Sequence, residues 1–352
     1  MTGELLPTPF HARTAMRNLV NAWMIRGSFT VPAHYGDPRQ EALAARLTAA
    51  MGDVSATEDL IIDGQGSVAF LATACGTPFA GMDIGASRSA RWCAEGDGLR
   101  GYGSVSRLGE DKFLLRSADI DLAWFESAAP RFDVSLRDAT RERGLLFFTG
   151  PLALPVLIAA GLEISDLKEN HHSDYDWRGL TVTIFRRTRI SGYELSCSAE
   201  DAIAVFDRLV RHGPLLALRL LGEEALQLLQ LEAGLPLPHA DFAPARIALT
   251  REPSPASLGF GVRFSSAEEG EQRVLAGIEW DGDPAPFAPV FAGGKEIGRT
   301  LRSLYSPALK CAIALAQLDP DCAAAGTAVT MMRLESAGWR QNTGRVVELP
   351  FL

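Results

Sequence analysis

Acids, phenols and imidazoles able to do chemistry are concentrated in a few short stretches of this 352-residue chain. The richest is IFRRTRISGYELS, where Glu194 follows Arg186, Arg187 and Arg189 and adjoins Tyr193. An ionised carboxylate only accepts hydrogen bonds, which leaves Glu194 two uses: taking two N–H donors from a guanidine-like ring edge, or pairing with one of those arginines. Tyr193 offers a phenol for stacking or proton donation, with core packing as the alternative for a strand aromatic. Tyr102, in GLRGYGSVSRL, is a second phenol suited to proton donation.

Two histidine-bearing stretches add bases that titrate near neutral pH: His34 beside Tyr35 in PAHYG, and His171 beside His172 in NHHSDYDW. Asp53 and Ser55 in MGDVSA read either as ligand contacts or as a structural turn or cap. Glu95 and Asp97 read as solvated loop carboxylates. No metal site is expected from His171, His172, Asp174 and Asp176, because adjacent histidines point different ways and no cysteine joins them. The five cysteines are scattered and read as reduced thiols. GGKEIGR suits a hairpin better than a nucleotide cradle, so no ATP or dinucleotide site is expected.

These groups must be held by ordinary globular domains. The chain is 47% apolar and 22% charged, and its length exceeds what one core usually serves. A net charge of -9 argues against nucleic acid as a partner. Leu145 to Leu162 carries no charge over 18 residues, but Gly150, Pro151 and Pro155 break it into a strand, a turn and a helix rather than a membrane span. With no basic-then-apolar leader at the start, a cytoplasmic protein is expected.

Periodicity and cap residues predict helices over 12–26, 37–52 (N-capped by Asp37), 121–130, 198–213 (N-capped by Ser198) and 215–233. Strands are predicted over 59–64, 103–108, 112–118, 145–148 and 180–190. The Pro-rich stretch 235–244 reads as a linker, and the chain beyond it as short strands of a small barrel or sandwich. The resulting class is α+β, with a first region over 1–240 made of two interleaved subdomains and a second domain over 245–352.

The later phrases GGKEIGR, YSP, KCAIALA, AGT and VVELPF, in that order, resemble the C-terminal domain of the glycine-cleavage T-protein (aminomethyltransferase) superfamily. TPFHART, VPAHYG, MGDVS, GQGSVAFL, RLGEDKFLL, FFTGP, SGYELSCSAEDAIAVFDRL and LQLEAGLPL resemble further blocks of the same family. The resemblance implies a cloverleaf of subdomains around a central cavity with a C-terminal β-barrel, and tetrahydrofolate as cofactor. It implies that Glu194 hydrogen-bonds the pterin ring, with Asp53, Ser55 and Tyr35 as further cofactor contacts. Three departures stand out. Gly101 and Tyr102 occupy the positions of the family's paired aspartates, Leu226 and Gln230 those of two arginines, and Ala56 that of a histidine.

Loss of the aspartates argues against the aminomethyltransferase reaction itself. The expected activity is a tetrahydrofolate-dependent demethylase or methyltransferase moving a methyl or hydroxymethyl group from a small organic substrate, for which an aromatic methoxy or hydroxymethyl compound is one candidate. Tyr102, Tyr193, His34 and His171 are the candidates for proton transfer. Two alternatives stand beside it: a cofactor-independent C–C lyase releasing formaldehyde, and a non-catalytic folate-binding or assembly protein. Relatives of the last kind carry a KGCYxGQE-like block that PSPASLGF lacks. The expected oligomeric state is a monomer or homodimer.

Overall fold

The computed structural model describes residues 5–93, 99–164, 166–212, 216–235, 246–250, 261–265, 272–335 and 338–352. Contacts divide the chain into two units, Met1–Trp92 with Arg100–Leu226, and Cys93–Leu99 with Gln227–Leu352. The expected linker over 235–244 lies, except for its first residue, outside the described residues, as do Glu95, Asp97 and Gly213.

The first unit opens with β1 (Leu6–Pro7), α1 (His11–Arg17), β2 (Trp23–Arg26) and β3 (Phe29–Pro32). The helix expected over 12–26 stops early. Asn18 donates its side-chain amide to the Ala22 carbonyl at 2.7 Å and accepts the Ala22 N–H at 3.1 Å, and Asn21 takes a left-handed φ of 52°. This side-chain competition for the backbone turns the chain into β2.

Then come α2 (Pro38–Leu47) and β4 (Ala49–Asp53). Asp37 caps α2 as expected, accepting the Arg39 amide at 2.9 Å. The helix does not run on to 52, because Ala49–Asp53 is fully buried and forms a central strand. Helix propensity at these alanines yields to ladder pairing on both sides.

Further on lie β5 (Glu58–Asp63), α3 (Ser67–Cys75), β6 (Ser87–Cys93), β7 (Leu99–Arg107), β8 (Lys112–Ser117), α4 (Leu122–Ala128) and β9 (Ser135–Asp138). After them come β10 (Arg143–Thr149), α5 (Ala153–Ala159), β11 (His172–Asp176), β12 (Thr181–Arg187), β13 (Gly192–Ser198), α6 (Ala202–His212), β14 (Leu218–Leu221) and α7 (Glu223–Glu232). The single helix expected over 215–233 is therefore a strand followed by a helix. Its strand half pairs in parallel with β4. Between the two halves, a Cβ on Gly222 would lie 2.4 Å from the Ala33 carbonyl, and the Gly222 N–H donates to Glu41 Oε2 at 2.8 Å.

These strands form a small three-stranded sheet and two larger ones, ordered β11-β12-β13-β10-β4-β14 and β6-β7-β8-β5-β9. One core packs Leu146, Phe148, Ile184 and Leu195 against Val156, Leu157, Val205 and Phe206 of α5 and α6. A second packs Leu60, Phe113 and Leu115 against Phe70 and Phe125 of α3 and α4.

The second unit adds β15 (Arg246–Thr250), β16 (Gly261–Ser265), β17 (Gln272–Trp280), β18 (Pro289–Ala292), β19 (Lys295–Ser306), β20 (Cys311–Leu318), β21 (Ala328–Glu335) and β22 (Gly338–Val347). Strands β17-β20-β19-β18-β21-β22 are paired in that order, and β22 returns to β17, closing a six-stranded barrel. GGKEIGR is the hairpin expected of it, with Gly293 and Gly294 at φ 56° and 82° joining β18 to β19. Ala312, Ala314 and Ala316 fill the barrel, while Ile313 and Leu315 alternate outward onto Leu231.

Asp53 ends β4 as a buried carboxylate, accepting the Thr8 hydroxyl at 2.6 Å and the Ser55 amide at 3.0 Å. Ser55 locks the neighbouring strand, donating to the Leu145 carbonyl at 3.3 Å and accepting the Leu145 amide at 2.9 Å. Burial raises the Asp53 pKa above the ordinary 3.8, against the opposing pull of these hydrogen bonds. A carboxyl raised in the folded state contributes stability that is complete below the unfolded pKa and is lost as pH rises through the folded one. Asp53→Asn, which cannot ionise, should therefore gain relative to the native protein between pH 4 and pH 7. Urea unfolding of both proteins at the two pH values measures this, and a pH-independent difference would contradict it.

Candidate functional site

Strand register decides which side chains can meet. Glu194 on β13 stands opposite Phe147 of β10 and Phe185 of β12, so it shares a face with Arg143, Ser196, Thr183 and Arg187. Two strands further along, His172 stands opposite Phe185 and joins that face. The intervening residues Tyr193, Leu195 and Cys197 point into the helix-covered core. In the other large sheet, Arg116 of β8 stands opposite Asp59 of β5 and Ser104 of β7.

Arg116 connects the two sheets. Its Nε and Nη2 donate to the two Asp59 oxygens at 2.7 and 2.8 Å, and its Nη1 donates to Glu194 Oε1 at 2.7 Å. Burial acts against the guanidinium charge, but Asp59 and then Glu194 outweigh it and hold the Arg116 pKa above its ordinary value. The other Glu194 oxygen faces Arg187 Nη1 at 3.4 Å, and the Arg187 guanidinium lies over the Phe147 ring at 5.3 Å. Glu194 thus pairs with Arg187, one of the three arginines that sequence spacing offered, and more closely with an arginine that spacing did not offer. Arg186 instead reaches Glu169 at 3.2 Å, and Arg189 reaches Ser89 at 2.7 Å.

Arg143 flanks this cluster, donating to Ser196 at 2.7 Å and to Thr183 at 3.0 Å, while the Thr183 hydroxyl donates to Asp174 at 2.6 Å. Burial lowers the Arg143 pKa, and the charge of Arg116 adds to that. Burial likewise lowers the His172 pKa from its ordinary value, against the opposing charge of Asp174 and with Arg143 and Arg116 adding to the shift. His171 turns elsewhere: its Nδ1 lies 2.8 Å from the Glu169 carbonyl, and its Nε2 is buried with no hydrogen-bond partner among the described residues. Of the two adjacent histidines, the one beside the cluster is therefore His172, not the candidate His171.

On β7, the alternation places Tyr102 on the Arg116 face and Gly101 on the core face. The Tyr102 carbonyl accepts the Ser117 hydroxyl at 2.8 Å, and its phenol acts electrostatically on Arg189. A Cβ on Gly101 would lie 2.5 to 2.7 Å from three atoms of the Trp92 indole, which is 1% exposed. The indole excludes a side chain there.

The remaining candidates lie elsewhere. Asp53 faces the core with its register partner Leu146, and both it and Ser55 are occupied by the local bonds described above. Tyr35 is held through its amide, which donates to Glu41 Oε1 at 2.7 Å, while burial and the nearby Asp53 and Glu41 raise its phenol pKa well above the ordinary value. His34 is half-buried, with its Nδ1 unpartnered among the described residues. Tyr193 packs on the apolar core, so the expectation that it shares a site with its neighbour Glu194 is corrected by strand alternation. Glu194 and Tyr102 are the two sequence candidates that the fold turns toward the space containing Arg116.

Removing one partner of a buried charge pair typically costs about 3–5 kcal/mol. Arg116→Met, which leaves Asp59 and Glu194 facing each other, should destabilise the protein by about that much in urea unfolding. Arg137→Met, at an exposed ion pair with Glu142, should cost less than about 1 kcal/mol. Equal effects at the two positions would contradict the assigned role.

Comparison with known proteins places this arrangement. Residues 12–266 match the GCVT N-terminal domain, and residues 273–352 match the glycine cleavage T-protein C-terminal barrel domain. An aminomethyltransferase of Geobacillus thermodenitrificans is 30% identical over 321 residues, covering 86% of this chain and 88% of that protein. One from Geobacillus kaustophilus is 29% identical over 348 residues, covering 92% and 93%. The crystal structure of glycine cleavage system aminomethyltransferase T from Bartonella henselae has the same fold, with a TM-score of 0.83 and 22% identity over 99% of this chain and 98% of that one. With both domains matched over nearly its whole length, the chain belongs to the glycine cleavage T-protein family.

Proposed function

We propose that this protein is a tetrahydrofolate-dependent one-carbon transferase that takes a methyl or hydroxymethyl group from a small organic donor, and that it is not a glycine-cleavage aminomethyltransferase. The observation that carries the distinction is on β7: at the positions where the resemblance places the family's paired aspartates, Tyr102 turns a phenol rather than a carboxylate to the Arg116 face, and Gly101 packs against the Trp92 indole. A carboxylate at that position would have to displace a core tryptophan that packs edge-on against Phe125 at 5.4 Å. The curated relatives bear the name aminomethyltransferase, so this reading assigns the chain a different donor within a shared fold.

The residues present fit a pterin. Arg116 holds one Glu194 oxygen tightly, while the other faces, among the described residues, the 3.4 Å contact from Arg187, whose side chain is 40% exposed. A ring edge with two N–H donors can take the outer oxygen by displacing that contact. Bound tetrahydrofolate would supply the nitrogen that receives the one-carbon unit. Glu194 would fix the ring's orientation, and holding two reactants in line removes an entropic barrier of up to about 7–11 kcal/mol. Tyr102, on the Arg116 face, would deliver a proton to the donor's leaving oxygen.

One observation favours the second reading, a formaldehyde-releasing lyase without cofactor. Leu226, at the position of a family arginine, is buried, with its methyls 3.2 and 3.3 Å from where a Gly52 Cβ would stand. That position contributes packing and cannot bind an anion. Titration of the protein with tetrahydrofolate by calorimetry separates the two readings. Micromolar affinity that falls by about 10- to 100-fold in Glu194→Gln, the loss expected for a charge-assisted hydrogen bond, supports the transferase. Absence of binding at millimolar tetrahydrofolate would leave the lyase.

A further inference from the structure

Taking the proposed transferase as its basis, the structure also indicates what kind of donor it uses. In the first unit, Arg116 and Arg187 contact Glu194, Arg143 shares its face, and Arg189 follows Arg187 by two residues; the compensation of these four charges is unequal. Asp59 is engaged on both oxygens by Arg116, and Glu194 by Arg116 and Arg187. Arg143 reaches a carboxylate indirectly, through the Thr183 hydroxyl that donates to Asp174. Arg189 has no such route. Its Nη2 donates to the Ser89 hydroxyl at 2.7 Å, and it pairs with no carboxylate among the described residues.

A partly buried guanidinium held by one neutral hydroxyl is costly to keep charged, and proteins seldom retain one without an anion to complete it. Burial lowers the Arg189 pKa; the Tyr102 phenol opposes this, and the charge of Arg187 adds to it. The local excess of positive charge contrasts with a chain whose net charge is -9. Arg189 lies in the β12–β13 connection and bonds across to β6, the strand that neighbours β7, which carries Tyr102.

We propose that Arg189, with Ser89 and Tyr102 beside it, binds a carboxylate of the one-carbon donor, making the donor a small organic acid. Ser89 takes one of the two Nη2 hydrogens, and the other can join Nη1 or Nε to meet a carboxylate in the planar geometry that guanidinium favours. The acid end would then be anchored next to Tyr102, and the rest of the donor would extend toward Glu194. Folate's own carboxylates leave from the end of the molecule opposite the pterin edge. Arg189 neighbours Arg187, which touches the pterin-binding carboxylate, so the donor suits the position better than the folate tail.

The test compares acids with their neutral amides, benzoate with benzamide and acetate with acetamide, by calorimetry on the full-length protein and on Arg189→Gln. The native protein should prefer each acid by about tenfold, the equivalent of about 1.4 kcal/mol, and Arg189→Gln should lose that preference. The variant's thermal midpoint should not fall, because the change removes an uncompensated charge; a purely structural arginine would lower it. Equal binding of acids and amides by the native protein, or a preference that survives in the variant, would overturn the assignment. So would an Arg189→Gln protein that binds tetrahydropterin normally but tetrahydrofolate weakly, which would place the folate tail there. Failure of the native protein to bind tetrahydrofolate, with the acid preference intact, would defeat the transferase reading and leave this site standing.

Discussion

The three-way contact of Arg116 with Asp59 and Glu194 joins two sheets whose other faces are each committed to a separate apolar core. A buried ion pair of this kind is weak evidence for net stability, since well-packed apolar side chains at the same positions often do as well. Its value lies in geometry. Glu194 sits between Phe147 and Phe185, and without Arg116 its carboxylate would be free to follow Arg187 toward solvent. Arg116 holds one oxygen from within and leaves the other outward, the arrangement that recognition of a two-donor ring edge requires.

Gly101 is a departure from the family pattern that the resemblance supplies. An aspartate at this position would need both space and a way to keep its charge, and Trp92 removes the space. The neighbouring phenol of Tyr102 still faces the interior between the sheets, so the strand retains a polar group one residue along and on the opposite face. Around it the charges run to excess arginine, a surrounding that suits anionic ligands better than an amine-bearing donor.

Much of the architecture was legible from local signals. Asp37 capped its helix, the GGKEIGR turn formed its hairpin, and the alternating run over 180–190 formed a strand across Thr181–Arg187. The errors came where non-local pairing overrode local preference. Ala49–Asp53 and Leu218–Leu221 read as helix from their local pattern, yet pair with each other as neighbouring strands, a relation spanning about half the chain that no window of sequence contains. The candidate site was legible at Glu194 and Tyr102 and illegible at Arg116. The available signal was an arginine interrupting FLL in KFLLRSA, on a strand whose partner DLIID carries an acid, but the register that makes them opposite is a property of the sheet. Tyr193 lies off the Glu194 face for the complementary reason: residues adjacent in a strand point to opposite faces, and Tyr193 packs on the apolar core.

The central claim is that Arg116 and Glu194 act as one unit in recognition of the pterin. A double-mutant cycle with Arg116→Met, Glu194→Gln and the combined protein, read as affinity for tetrahydropterin, tests it most directly. The account predicts that either change alone causes nearly all of the loss seen in the double variant, so that the second change adds less than about twofold. Full additivity of the two losses would contradict it and would reduce Arg116 to a strut between the sheets.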